Sequence, residues 1–453
     1  MGLRSLSGGL FYVESRKSFF SPVSVYRRRS REYNPITMSV SYEHIRNEIY
    51  NEVCDRLLRR AGSDDEQVTK TIRECIMSNR FSSDLSPRQR SRICHELFNR
   101  IRRLDVLQDL IEDDSVTEIM VNGTDEIFVE RGGRLIPAGV RFDSKDRLTD
   151  IIGRIAAGVN RTVNLSNPIL DARLFDGSRV NAILDPVAIN GPTLTIRRFP
   201  DRPIDAGMLV DMGSITRPAL DMLQKLVISG YNILISGSTG SGKTTFLNVM
   251  SSFIPSDERL ITIEDAAELK IMGIRNLVRL ETRSATAGGC EAITIRDLIR
   301  SALRMRPDRI VVGEVRGEEA IDMLQAFNVG QDGSLSTIHA NSAKDAISRL
   351  ETMIMLSTDI PTEALRRQIA SGVDIIVHLG RLRDRSRRVL EIREVVGMSG
   401  SEIVTQPLFC FEEYTVSEGR VSGDLVRKND PVNTDKLRRA GIGTDTEGPD
   451  GKT

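Results

Sequence analysis

Apolar residues along this chain change period three times, and each change marks a new kind of element. Ile45, Ile49, Val53 and Leu57 fall at i, i+4 spacing and predict one face of a helix. Gly62 is its stop. Ser63-Asp-Asp-Glu66 reads as a capping box for a second helix carrying Val68, Ile72 and Ile76. Ser86-Pro87 opens a third, with the stripe Ile93, Leu97, Ile101 and Leu104. Residues 39–104 are therefore expected to form a small helical bundle without chemistry of its own.

From residue 105 to 200 the period shortens. Val116–Asn122, Ile127–Glu130 and Leu135-Ile136 are β-like runs separated by the turn signals Asn122-Gly123 and Gly132-Gly133. A helical stretch covers Leu148–Ala157, and two further runs cover Asp171–Asn181 and Pro192–Phe199. The expectation is a compact α+β domain with Arg173, Arg179, Arg197 and Arg198 on or beside its strands. Pro200 and Pro203 mark a linker, placed at 201–210. Beyond it, 211–425 alternates buried strands with helices, the pattern of an α/β domain with a largely parallel sheet. Residues 426–453 read as a polar tail. Residues 1–38 are aperiodic and basic, with seven arginines or lysines against Glu14 and Glu32. They read as a disordered tail suited to acidic lipid, or as an over-long start with Met38 as the alternative.

Composition narrows the class. The 63 basic and 63 acidic residues cancel, which argues against a chain-wide nucleic-acid footprint. No apolar run reaches bilayer-spanning length, and no signal peptide is evident. The five cysteines lack metal spacing and read as reduced thiols of a cytosolic protein.

The chemistry lies in the third region. Gly237-Ser238-Thr239-Gly240-Ser241-Gly242-Lys243-Thr244 matches G-x-x-x-x-G-K-[ST] between an apolar strand, Tyr231–Ser236, and a helix start at Thr245. Such a loop turns successive backbone N–H groups onto phosphates, with the helix N-terminus adding its dipole. Lys243 reaches the β- and γ-phosphates, and the Thr244 hydroxyl binds Mg²⁺. ATP and Mg²⁺ are the expected ligands. Three further apolar strands end in polar clusters: Glu264, Asp265 and nearby Glu268; Glu314 and Arg316; His339 and Asn341. Ligands of open α/β sheets bind at the carboxyl ends of strands, so all three should converge on the loop. Glu264 read alone is equally a helix cap, and His339 alone a structural histidine.

These four stretches, Gly237–Thr245, Thr262–Glu268, Arg309–Arg316 and Asp332–Asn341, resemble the Walker A, Asp box, Walker B and His box of the type II/type IV secretion ATPases. Thr117–Gly123, Val129–Arg134 and Asp171–Asn181 resemble most the CpaF-like ATPases of Tad (Flp) pilus assembly. The resemblance covers about residues 41 to 415. It implies a RecA-like P-loop ATPase domain preceded by an α+β (PAS-like) domain. It also implies a homohexamer peripheral to the inner face of the cell membrane, pushing on a polytopic platform protein of a pilus or secretion machine, without direct nucleic-acid contact. Carried over by position, Glu264 polarises the attacking water, Glu314 organises Mg²⁺, His339 senses the γ-phosphate, and Arg179 and Arg197 approach the phosphates on domain closure. The alternative for these arginines is pairing with Asp171, Asp176 or Asp185. Gly313 stands where many P-loop enzymes carry a metal-binding Asp. Gln331 replaces the histidine that often opens the His box, which removes a charge there. Two other functions stay open: conjugation-type transfer or DNA uptake, and a nucleotide-binding switch with little turnover.

Overall fold

The computed structural model describes residues 41–59, 62, 64–174, 176–198, 204–283, 285, 291–417 and 420–443. The expected basic tail, the first three residues of the linker placed at 201–210 and the last ten residues lie outside the described residues.

Residues up to Arg103 form one unit and those from Leu104 a second. The first contains α1 (Tyr42–Leu58), α2 (Asp65–Ser78) and α3 (Pro87–Arg102). The i, i+4 stripes meet in its core: Ile45, Ile49 and Val53 pack with Val68, Ile72, Ile93 and Leu97. Each such side chain, fully buried, contributes about 1.5–3 kcal/mol. Ser86 makes the expected capping box with Gln89. The cap of α2 falls one residue later than expected. Asp64 accepts from the Gln67 N–H at 2.8 Å, an aspartate carboxylate at the N-cap satisfying an orphan donor of the first turn.

The second unit begins with the short helix α4 (Gln108–Glu112) and an antiparallel sheet. Its strands are β1 (Val116–Asn122), β2 (Glu126–Arg131), β3 (Arg134–Pro137), β4 (Ile169–Arg173), β5 (Arg179–Ile183) and β6 (Thr193–Arg197). Their order is β3-β2-β1-β6-β5-β4. Helix α5 (Lys145–Gly158) covers one face, burying Leu148, Ile151, Ile152 and Ile155 against Ile119, Val129, Val180 and Ile196. Pairing of Arg179 opposite Arg197 sets two like charges side by side on adjacent strands.

Asp205 caps α6 (Ala206–Asp211), so the second half of the expected linker is helical. The α/β domain follows with α7 (Arg217–Ile228), β7 (Ile233–Gly237), α8 (Lys243–Ser251), β8 (Arg259–Glu264), β9 (Asn276–Glu281), α9 (Ile295–Ala302) and β10 (Arg309–Val315). Then come α10 (Glu319–Asn328), β11 (Leu335–Ile338), α11 (Ala343–Ser357), α12 (Thr362–Gly372) and β12 (Ile375–Arg381). Three long strands close it: β13 (Arg387–Ser399), β14 (Glu402–Ser417) and β15 (Arg420–Arg427). The sheet order is β15-β14-β13-β12-β7-β11-β10-β8-β9, parallel from β12 to β9 and antiparallel from β13 outward.

Alternation along β7 divides the core. Ile233 and Ile235 face a layer containing α7 and α8, whereas Leu234 faces the layer of α9 to α12. This is the expected RecA-like layering. Within the expected polar tail, Val426 and Arg427 complete β15, and α13 (Asp435–Arg439) packs Leu437 into the core at 4% exposure. A single buried leucine flanked by charges gave no periodic signal of that docking.

Candidate functional site

The phosphate-loop strand β7 lies beside β11, β11 beside β10, and β10 beside β8. Four strands carrying the four polar clusters are thus consecutive neighbours, and parallel pairing brings their carboxyl ends to one edge. There, one cleft is lined by Lys243, Thr244, Glu264, Glu314, Arg316 and His339.

The loop owes its shape to glycine. A Cβ at Gly237 would stand 2.5 Å from the Leu379 carbonyl oxygen and 2.6 Å from Ser241 Oγ, too close for either to tolerate. Gly240 and Gly242 take φ of +74° and +95°. Gly242 precedes α8, whose first residue, Lys243, turns back over the loop. Its Nζ donates to the Gly237 and Ser238 carbonyl oxygens at 3.1 and 3.2 Å and lies 3.3 Å from His339 Nδ1. Burial pushes the Lys243 ammonium below the usual lysine range. Arg387 Nε donates to the Gly240 carbonyl oxygen at 2.9 Å, bracing the loop from β13. Ser238, Thr239, Gly240, Ser241, Gly242, Thr244 and Thr245 complete the predicted cradle, and the Ser241 Oγ is buried without a partner among the described residues.

Glu264, at the end of β8, is 3% exposed. Its Oε1 accepts from the backbone N–H groups of Glu268 and Leu269 at 2.8 and 3.0 Å. Its Oε2 is buried with no partner among the described residues. Burial raises its pKa, against the pull of those two N–H groups. Gly313 makes room for this carboxylate, because a Cβ there would press on Glu264 Cγ at 3.0 Å. An aspartate at 313 would thus displace the group that the cleft presents.

Glu314 is held from two sides. Its Oε2 accepts from Arg316 Nη2 and Nε at 2.6 and 2.9 Å, and its Oε1 lies 2.5 Å from His339 Nε2. Arg316 also reaches Asp265 at 3.5 Å. Burial, then the Lys243 charge, push His339 below the usual histidine range, while Glu314 opposes them. The Thr337 hydroxyl donates to the Gly313 carbonyl at 2.8 Å and fixes β11 against β10 beneath these groups.

The arginines of the antiparallel sheet divide. Arg179 and Arg197 line the cleft. Arg179 Nη2 lies 2.7 Å from Glu268 Oε1 and 3.4 Å from the Ala266 carbonyl. Arg173 crosses to the same loop, bonding the Ala267 carbonyl and approaching Glu281 at 3.5 Å. Arg198 also borders the cleft, but its guanidinium turns to the carbonyls of Asp113 and Val116. The three carboxylates weighed as surface partners are engaged elsewhere: Asp171 with Asn181, Asp176 with Ser178, Asp185 with Lys145.

Sequence reading passed over Glu268 as the partner of Arg179 and gave no role to Arg316 or Arg387. The first two lie inside stretches whose neighbours drew attention. Arg387 sits in an arginine-rich hairpin far along the chain, where only strand pairing reveals its target. Gln331 lies at the opposite, amino end of β11, where its carbonyl accepts from Ser334 Oγ at 2.8 Å. The missing histidine there is remote from the cleft.

Strand order, glycine cradle and converging clusters define a P-loop protein of RecA-like fold. The chain belongs to the type II/IV secretion system protein family, whose model matches residues 102–422. It is similar to the conjugal transfer protein TrbB of Rhizobium radiobacter, 33% identical over 314 residues, covering 68% of this chain and 93% of that one. A putative conjugal transfer protein of Mycobacterium tuberculosis is 35% identical over 293 residues, 63% of this chain and 83% of its own. The type IV secretion system protein PtlH of Bordetella pertussis is 34% identical over 324 residues, with 64% and 93% covered.

Proposed function

We propose that this chain is an Mg²⁺-dependent ATPase, a motor that powers pilus assembly or protein secretion across a prokaryotic membrane. The observation that carries the reading is the convergence of Lys243, Glu264, Glu314 and His339 at four adjacent strand ends in a chain of this family. The loop amides and Lys243 bind the phosphates. Glu264 Oε2, without a partner among the described residues, has the position and raised basicity to orient and polarise a water. Thr244 and Glu314 would hold Mg²⁺, which would supply charge neutralisation on the phosphate oxygens. Ser241 Oγ, without a partner among the described residues, and the left-handed Gly240 and Gly242 of the loop fit a phosphate-bearing ligand. Arg179 and Arg197 add positive charge when the antiparallel-sheet domain closes. His339, beside both Lys243 and Glu314, reports on the state of the phosphate site.

The working form is a homohexamer on the cytoplasmic face of the inner membrane, acting on a polytopic platform protein. Among the described residues no helix is long and apolar enough to cross a membrane, which suits a peripheral motor. The CpaF-like assignment rests on the Thr117–Gly123, Val129–Arg134 and Asp171–Asn181 stretches. A second reading, conjugation-type transfer, is favoured by the names of the matched relatives in Mycobacterium and Rhizobium. Steady-state phosphate release by the full chain tests the motor against a non-hydrolysing switch. Release that is absent in wild type, or unchanged in Glu264→Gln, overturns the assignment. Deletion of the gene followed by separate assays of pilus display and of plasmid transfer tells the two cargoes apart.

A further inference from the structure

Arg179 is the one candidate phosphate-binding arginine whose charge is already engaged by a carboxylate of the opposite domain. The pair is only half-satisfied. Nη2 meets Glu268 Oε1 at 2.7 Å, yet Nε is buried without an acceptor among the described residues. A guanidinium has five N–H donors in a fixed fork, so one carboxylate oxygen leaves it able to take further acceptors. Glu268 holds two parts of the site together. Its side chain holds Arg179, and its backbone N–H holds Glu264 Oε1 at 2.8 Å. The Glu268 side chain is 12% exposed and that of Arg179 33%, so the pair is partly shielded and its exchange costs free energy.

We propose that Glu268 is a positioning residue that holds Arg179 until the terminal phosphate of a nucleoside triphosphate displaces it. Resting on the ATPase reading above, this adds a discrimination step. A triphosphate offers a γ-phosphate dianion that can outcompete one carboxylate for a bidentate fork, and a diphosphate offers none. Arg179 then leaves Glu268 only when the triphosphate is present. Because the same residue anchors Glu264, the exchange is read by the loop that holds the proposed base in place.

The test uses the full chain with Mg²⁺ and two probes, the non-hydrolysable analogue AMP-PNP and ADP. Glu268→Gln keeps the shape and removes the competing charge. It should tighten AMP-PNP binding about threefold to tenfold, the reach of a partly exposed ion pair, with ADP affinity little changed. Glu268→Asp, which keeps the charge on a shorter arm, should lie between. In the Arg179→Ala background, Glu268→Gln should move neither affinity, and thermal melts of each variant confirm folding. Equal shifts for both nucleotides, a shift that persists without Arg179, or no shift in folded Glu268→Gln and Glu268→Asp overturns the proposal. Wild type that hydrolyses ATP but shows one of these results sinks this step alone. Wild type that binds neither probe and releases no phosphate sinks the ATPase reading, and the proposal with it.

Discussion

The two ends of the parallel sheet use the same residue types to opposite effect. At the amino ends, one cluster of polar groups is densely paired, although Ser229 Oγ and Gln331 Oε1 nearby are buried without a partner among the described residues. Asn232 donates to the Phe327 and Gly372 carbonyls and accepts from the Gly333 and Ser334 N–H groups, while its own N–H meets Asp374. Lys436 spans Asp374 and Asp332 at 2.7 and 2.9 Å, and buried Arg309 forks onto Glu258. At the carboxyl ends, groups are close but underused. Glu264 keeps a bare buried oxygen, Lys243 leans on loop carbonyls, and Arg179 has an unfilled donor. Complete pairing is what stability selects, because each orphaned buried polar group costs about 1–3 kcal/mol. A carboxylate, a lysine and an arginine that are close but underused around one cleft are the mark of a site that expects a ligand.

Substitutions at the two ends should therefore fail in different assays. The largest effect belongs to Lys243→Ala. It should lower turnover by at least about 10²-fold by removing the cation that meets developing phosphate charge. Glu264→Gln should suppress turnover comparably while nucleotide affinity, measured by equilibrium titration, stays near wild type. Next, Arg179→Ala and Arg197→Ala should each cut kcat by about tenfold or more, with a smaller change in nucleotide affinity. Near wild-type kcat in both would leave the antiparallel sheet a mechanical part only. At the amino end, Asp374→Ala should cost about 2 kcal/mol in denaturant unfolding, because Lys436 and the Asn232 N–H lose a shared acceptor. The kcat per folded molecule should be unmoved. A stable variant with impaired turnover would dissolve the contrast between the two ends.

The smallest effect is on pH dependence. His378 lies beside β7, with Nδ1 3.0 Å from Ser236 Oγ, and burial depresses its pKa below 6.5. The unfolded chain takes up this proton first as pH falls. Stability therefore declines once pH drops below about 6.5, until the folded pKa is passed. Asp374, raised by burial, has the opposite slope in acid. The clean measurement is the difference between wild type and His378→Gln from pH 7 to 5.5, where the variant should show the flatter curve.

Much of this was legible from the chain because it depends on local pattern. The phosphate loop announces itself by glycine spacing, and β8, β10 and β11 by short apolar runs ending in polar clusters. The helical stripes of α1 to α3 and the cap at Ser86 were equally readable. Partner choice was not. That Arg179 meets Glu268, that Arg387 braces Gly240, or that Lys436 returns to Asp374 depends on strand order and on contacts between distant segments. No window of sequence contains both members of such a pair. The docking of α13 was missed for a related reason, since Leu437 alone carries no period. Gln331 shows the converse: motif reading placed it near the chemistry, and strand direction puts it at the far edge.

Strand β7 has a consequence for the order in which the protein is made. It is synthesised before both of its sheet neighbours, β11 and β12, and a Leu379 carbonyl on β12 forms part of the wall against Gly237. A nascent chain emerging from the ribosome carries the glycine loop long before it carries the strands that flank it. During that interval β7, whose five residues are all buried in the finished fold, has an apolar strand and no sheet to join. Such a segment is a ready target for chaperones and for mispairing. The cradle therefore matures late, only after β12 has left the exit tunnel, although its own residues lie near the middle of the chain.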